Sequence, residues 1–82
     1  MFYVYILQSL ICGRYYIGSC DNIENRFKQH NDGKVKSTKA FKPWKLVYRE
    51  KFKTRENAIV REYQLKSWKS RDALEKLIKK HF

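Results

Sequence analysis

The chain opens on an unbroken apolar and aromatic run, Phe2 to Leu7 (F-Y-V-Y-I-L). Branched and aromatic side chains at successive positions put bulk on both faces of a pleat, so the run predicts a central strand covered on both sides. Gln8 to Gly13 reads as a loop in which Gly13 is free to take positive φ. Arg14 to Ser19 (R-Y-Y-I-G-S) is strand-like again, and the two runs together predict a hairpin. Asp21 and Asn22 are capping residues, Glu24 complements the dipole of a first turn, and Ile23, Phe27 and His30 follow at helical spacing. This predicts a short helix from Asn22 to Asn31, ended by Asn31-Asp32-Gly33.

Lys34 to Lys42 (K-V-K-S-T-K-A-F-K) obeys neither period and predicts an exposed loop before Pro43. Lys45 to Phe52 alternates imperfectly between apolar and charged residues and predicts a third strand. Thr54 caps a second helix, with Glu56 in its first turn and Ala58, Glu62 and Leu65 along one stripe. Trp68-Lys69-Ser70 breaks it, and Ser70 caps a last helix whose Leu74, Leu77, Ile78 and His81 share a face. The order β-β-α-β-α-α predicts an α+β fold, a small three-stranded antiparallel β-sheet flanked by helices.

At 82 residues the chain is expected to be a single domain over residues 1–82, since two halves would each be too small to bury an adequate core. Hydrophobic residues at 43% and charged residues at 33% exclude a disordered chain. Charge changes the picture more. Nineteen Lys and Arg against eight Asp and Glu leave a formal +11, and such crowding of like charges makes a nucleic acid the expected partner. Met1 runs directly into the apolar hexamer with no basic leader and no long apolar stretch, which reads as a cytoplasmic protein without a membrane span. Cys12 and Cys20 lack metal-site spacing and are expected as reduced thiols with no chemical role.

Several polar side chains fall where the pattern turns them toward the sheet. Tyr5 and Tyr16 lie on strands that a hairpin sets side by side, an arrangement that lets two phenols face one another. Arg26 and His30, four apart, share a helix side with Ile23 and Phe27, which turns two cations inward. Glu62 interrupts the Ala58–Leu65 stripe, where a carboxylate needs a cation or a metal beside it. Plainer readings stand beside these: Tyr5 and Tyr16 as sheet aromatics, Gly18 as a bulge or strand-end glycine, Arg26 as a solvated residue and His30 as a partner of the helix C-terminal dipole. Glu62 has a surface alternative in Lys66 one turn on, which its place on the apolar stripe disfavours. Trp44 and Trp68 adjoin element boundaries and read as core or edge packing. In the lysine-rich loop, Lys34, Lys36, Ser37, Thr38, Lys39 and Lys42 read as contacts to a phosphate backbone.

Tyr3-Val4-Tyr5, then Tyr16-Ile17-Gly18, then Arg26, His30 and Glu62 resemble, in order and approximate spacing, the GIY-YIG nuclease superfamily. The likeness covers nearly the whole chain and is closest to small single-domain members that begin Y-V-Y-I-L and carry an R-E-x-x-x-K-x-W stretch, here Arg61 to Trp68. It implies a metal-dependent endonuclease hydrolysing DNA phosphodiesters in repair or processing, selecting structure rather than sequence and acting as a monomer or weak dimer, with larger repair proteins as further partners. Tyr5, Tyr16, Arg26 and His30 would be catalytic, Gly18 would keep the space between the tyrosines clear, and Glu62 would bind the metal. That ion is Mg²⁺ or Mn²⁺, because one carboxylate suffices when waters and substrate oxygens complete the shell. Arg26 offers a planar fork to the non-bridging oxygens. Tyr5 is the expected general base or proton relay, with Tyr16 and His30 assisting. A free phenol titrates near 10, so that role at neutral pH needs a fall of about three pH units, roughly 4 kcal/mol.

The pattern departs from the family in three places. Tyr3 stands in place of the first glycine, Ser19 stands where some relatives carry a lysine, and no asparagine follows Asn57. The alternative reading is therefore a nucleic-acid-binding module of weak or lost activity, or the nuclease subunit of a larger complex.

Overall fold

The computed structural model describes residues 1–81. The side chain of His81, expected on the apolar face of the last helix, lies outside the described residues. The elements run β1 (Phe2–Ser9), β2 (Tyr15–Cys20), α1 (Ile23–Asn31), a short 3-10 turn (Lys39–Phe41), β3 (Trp44–Phe52), α2 (Arg55–Ser67) and α3 (Arg71–His81). The fold is α+β, and its three strands pair antiparallel in the order β2-β1-β3.

β1 lies at the centre, as its unbroken apolar run requires. Val4 and Ile6 point to one face, where they meet Ile17, Val47, Tyr48, Ala58 and Leu65 under α2, with Leu74, Leu77 and Ile78 of α3 packed against them. Tyr5 and Leu7 point to the other face, against Ile23 of α1 and Trp44. Burial of each large apolar side chain contributes about 1.5–3 kcal/mol, so a thin sheet gains most from a strand used on both sides.

Local signals set the helix boundaries. The Asn22 side chain accepts from the Asn25 N–H to cap α1, Thr54 accepts from the Asn57 N–H to cap α2, and Ser70 accepts from the Ala73 N–H at the start of α3. Gly13 turns the hairpin at φ 77°, and Lys69 takes φ 48° between α2 and α3. The imperfect alternation of β3 has a physical cause. A bulge shifts the register between Ile6 and Leu7, which pair with Tyr48 and Leu46 respectively. The adjacent Val47 and Tyr48 thereby enter the same core.

The segment from Lys34 to Lys42 corrects the expectation of an exposed loop. Lys34, Lys36, Ser37, Lys39 and Lys42 are exposed, but Thr38 is fully buried and Phe41 half-buried. The Val35 carbonyl accepts from the N–H groups of Thr38 and Lys39, and the indole Nε1–H of Trp44 donates to the Thr38 carbonyl at 3.0 Å. Ser9, also buried, donates its hydroxyl to the Phe41 carbonyl at 2.6 Å. These bonds draw the middle of the loop inward and leave its lysines outside. Trp44 is buried as expected, while Trp68 is 37% exposed, with the Arg61 guanidinium 5.7 Å from its ring centre.

Asn31 ties the end of α1 to the start of β3. Its Oδ1 accepts from the Trp44 N–H at 2.6 Å, and its Nδ2 donates to the Trp44 carbonyl at 3.1 Å. Asn31→Ala strands both backbone groups and is expected to lower the unfolding free energy by about 2 kcal/mol. Chemical denaturation checks this, with exposed Asn57→Ala, expected within ~0.5 kcal/mol of wild type, as the comparison.

Candidate active site

Strand register decides which residues of β1 and β2 meet. Tyr5 stands opposite Gly18, and Leu7 stands opposite Tyr16. Tyr5 and Tyr16 therefore lie diagonally on the same face, their ring centres 6.3 Å apart. His30, from the last turn of α1, closes over them with its ring centre 5.8 Å from that of Tyr5 and 5.0 Å from that of Tyr16. Gly18 makes room for the group. A Cβ at that position would lie 2.5 Å from the Tyr5 hydroxyl oxygen and 3.1 Å from Tyr16 Cε2. The position excludes a side chain because the phenol already fills that space.

The Tyr5 hydroxyl is 3.0 Å from His30 Nε2, and His30 Nδ1 is 2.8 Å from the Thr38 hydroxyl. Burial, with a lesser contribution from the Arg26 charge, lowers the His30 pKa to about 4. The inward pair of cations expected on α1 is thus one cation and one neutral imidazole. Burial pushes the Tyr5 phenol well above its ordinary range, and hydrogen bonding from Arg26 only partly opposes it. For Tyr5 as general base or proton relay, burial acts against the phenolate, since a base at neutral pH needs the opposite shift. Tyr16 on the same face is half-buried and retains access to solvent.

The interaction of Arg26 with Tyr5 holds the guanidinium above its ordinary pKa, and Arg26 Nη1 donates to Gln29 Oε1 at 3.1 Å. Arg26 lines a shallow polar pocket of about 260 Å³ together with Ser19, Cys20, Asp21, Asn22, Asn25, Gln29 and Arg55, two guanidiniums against one carboxylate. Sequence reading missed Asn22, Asn25 and Arg55 as site residues. The two asparagines belong to the start of α1, where Asn22 was legible only as a capping residue and Asn25 carried no signal. Arg55 arrives from α2, and no local signal announces it. Beside Tyr16, on the other side of β2, a groove of about 420 Å³ has Tyr15, Ile17 and Leu65 among its lining residues and carries Lys66, Lys69 and Arg71.

Glu62 approaches differently from the other four residues. It belongs to α2, which packs on the face opposite α1, and it reaches the β2 edge, where Ser19 donates to Oε1 at 2.6 Å. Lys66 occupies Oε2 at 2.6 Å, so the surface pairing disfavoured by the apolar stripe does form. The stripe places Glu62 at its margin, with the side chain 17% exposed. Thr38 is a second correction: buried and bonded to His30, its hydroxyl is closed to a phosphate. The exposed Lys34, Lys36, Ser37, Lys39 and Lys42 remain accessible.

Among the described residues no group of three or more His, Cys, Asp or Glu side chains converges. An enclosing cage of protein ligands is therefore not built here. Glu62 fits a hard divalent cation that takes one carboxylate and completes its shell with water and substrate oxygen. The exposed Lys66 ammonium offers little resistance, because such a pair contributes at most about 1 kcal/mol.

A phenol pair, a guanidinium and an imidazole around an obligate glycine, beside a cationic pocket, form a constellation suited to phosphodiester chemistry. The GIY-YIG catalytic domain family matches residues 1–78, and the chain belongs to this family of endonucleases. A UPF0213 protein of Staphylococcus saprophyticus is 42% identical over 77 residues, covering 93% of this chain and 92% of that protein. Another from Bacillus licheniformis is 48% identical over 65 residues, covering 78% of this chain and 66% of that protein. The solution structure of a UPF0213 protein from Bacillus halodurans aligns at TM-score 0.60 and 36% identity, over 96% of this chain and 84% of that one. Among the described residues no helix is long and apolar enough to cross a membrane.

Two outcomes follow from the site geometry. Gly18→Ala forces Tyr5 or the strand to move and is expected to cost about 1–3 kcal/mol of stability, read by denaturant unfolding. The depressed His30 pKa means that the unfolded chain binds the extra proton between pH 6.5 and about 4. The associated stabilisation, on the order of 3 kcal/mol, is complete above pH 6.5 and is lost as pH falls to about 4. An NMR titration of the His30 ring should show a midpoint near 4; a midpoint near 6.5 would contradict the burial argument.

Proposed function

We propose that this protein is a divalent-metal-dependent endonuclease that hydrolyses DNA phosphodiester bonds, selecting structure rather than sequence, in repair or processing. The observation that carries the reading is the meeting of Tyr5, Tyr16, Arg26 and His30 around Gly18. An ordinary sheet face has no need of that arrangement. The assignment extends to one domain over residues 1–82, working in the cytoplasm as a monomer or weak dimer, with larger repair proteins as further partners.

In this reading the phosphate enters at the β2 edge. The Arg26 fork receives the non-bridging oxygens, and Arg55 stands across the same pocket to add charge. Tyr16, the accessible phenol, relays a proton: it takes one from the attacking water while handing its own hydroxyl proton to solvent, as the water oxygen bonds to phosphorus and the bond from phosphorus to the leaving oxygen breaks. That oxygen takes up a proton from solvent. Tyr5 and His30 hold the guanidinium and the neighbouring ring in place. Glu62 would hold Mg²⁺ or Mn²⁺, which when bound supplies positive charge against the phosphate and the departing oxygen. The flanking backbone runs over Lys34, Lys36, Ser37, Lys39 and Lys42 on one side and Lys66, Lys69 and Arg71 on the other.

A second reading has one specific observation in its favour. Both Glu62 oxygens are already engaged, by Ser19 and by Lys66, which suits a module that binds nucleic acid without turnover. Incubating the protein with branched, flapped, nicked, single-stranded and linear DNA plus Mg²⁺ or Mn²⁺ separates the two. The nuclease reading expects cleavage that falls at least a hundredfold in Arg26→Ala and in Glu62→Ala. Undiminished cleavage in both variants sinks the site assignment. Salt-sensitive binding without cleavage supports the binding module.

A further inference from the structure

Thr38 lies in the most lysine-rich stretch of the chain yet is fully buried. Its hydroxyl is 2.8 Å from His30 Nδ1 and 3.3 Å from the Val35 carbonyl, to which it donates. It thereby ends a polar line that begins at Arg26 and passes through Tyr5 and His30.

The two ends of this line determine where its protons lie. A guanidinium only donates, so whatever Arg26 offers Tyr5 meets the phenol oxygen, and a carbonyl only accepts, so the Thr38 proton belongs to Val35. The Thr38 oxygen is then left to accept from Nδ1–H. A neutral imidazole carries one N–H, so Nε2 is bare and receives the phenolic proton of Tyr5. With the opposite polarity Thr38 would donate to Nδ1, Nε2–H would point at Tyr5, and the phenolic proton would face a cation without a lone pair.

We propose that Thr38 is a positioning residue that holds His30 as the Nδ1–H tautomer, turning the Tyr5 proton inward and leaving the phenol oxygen to orient Arg26. The hydroxyl is well placed to do this because its own backbone is fixed. The Thr38 N–H donates to the Val35 carbonyl at 3.1 Å, and the Thr38 carbonyl accepts from the Trp44 indole at 3.0 Å. The exposed lysines of the loop and the guanidinium of the site are thus tied to one buried side chain. The kinetic part of this inference rests on the nuclease reading, whereas the tautomer does not.

Long-range ¹H–¹⁵N NMR of the His30 ring reads the tautomer directly. Wild type and Thr38→Ser should show a protonated Nδ1 and a pyridine-type Nε2, and Thr38→Val should show a mixture or a switch to Nε2–H. In the cleavage assay Thr38→Val should lower kcat on the order of tenfold with KM little changed, and Thr38→Ser should restore most of the rate. An Nε2–H spectrum in wild type, or an unchanged Nδ1–H spectrum in folded Thr38→Val, overturns the proposal. Should Thr38→Val fail to fold, the other two spectra decide: Nδ1–H in both supports the proposal, and Nε2–H in either overturns it. Absence of cleavage in wild type removes the nuclease reading and leaves the tautomer result standing.

Discussion

A phenol hydroxyl at the centre of a three-stranded sheet has to be given a partner. Left unpaired in the core it would cost about 1–3 kcal/mol, a large share of the stability that so small a domain retains. Tyr5 is 2% exposed, and its hydroxyl is met by His30 and by Arg26. Each of those partners imposes a further condition. His30 needs a second partner for Nδ1, which Thr38 provides, and the phenol needs the empty space that Gly18 leaves. Most of the candidate site is what satisfying one buried hydroxyl entails.

The same burial divides the work between two tyrosines that look equivalent along the chain. Tyr5 is on the central strand and is enclosed; Tyr16 is on the β2 edge and remains accessible. Enclosure disfavours the phenolate, so the inner ring serves better as a fixed hydrogen-bonding post than as a base. The outer ring lies between the cationic pocket under α1 and the groove carrying Lys66, Lys69 and Arg71. β2 is therefore both an exposed sheet edge and a ridge flanked by positive charge. A polyanion laid along it would relieve part of the repulsion built into a chain of net charge +11.

Glu62 illustrates how a carboxylate is accommodated at the margin of an apolar stripe. Ser19 donates to one oxygen and Lys66 to the other, and α2 carries it to the sheet edge from the face opposite Arg26. Ser19 thus touches the carboxylate itself, and Lys66 of the same helix meets its other oxygen. The carboxylate is held ready in position but not bare.

Sequence alone determined the elements, their order and the two-sided burial of β1, because periodicity, caps and turn glycines act over a few residues. The Asn22, Thr54 and Ser70 caps and the positive φ of Gly13 are where those rules place them. It also marked Tyr5, Tyr16, Arg26, His30, Gly18 and Glu62 as residues worth watching. Tertiary structure alone decided what each one touches. That Thr38 turns inward, that His30 is neutral, that Arg55 shares a pocket with Arg26 and that Glu62 meets Ser19 all depend on distances between elements far apart in the chain. Burial and hydrogen-bond partnership are properties of the packed molecule, and no local pattern of residue types carries them.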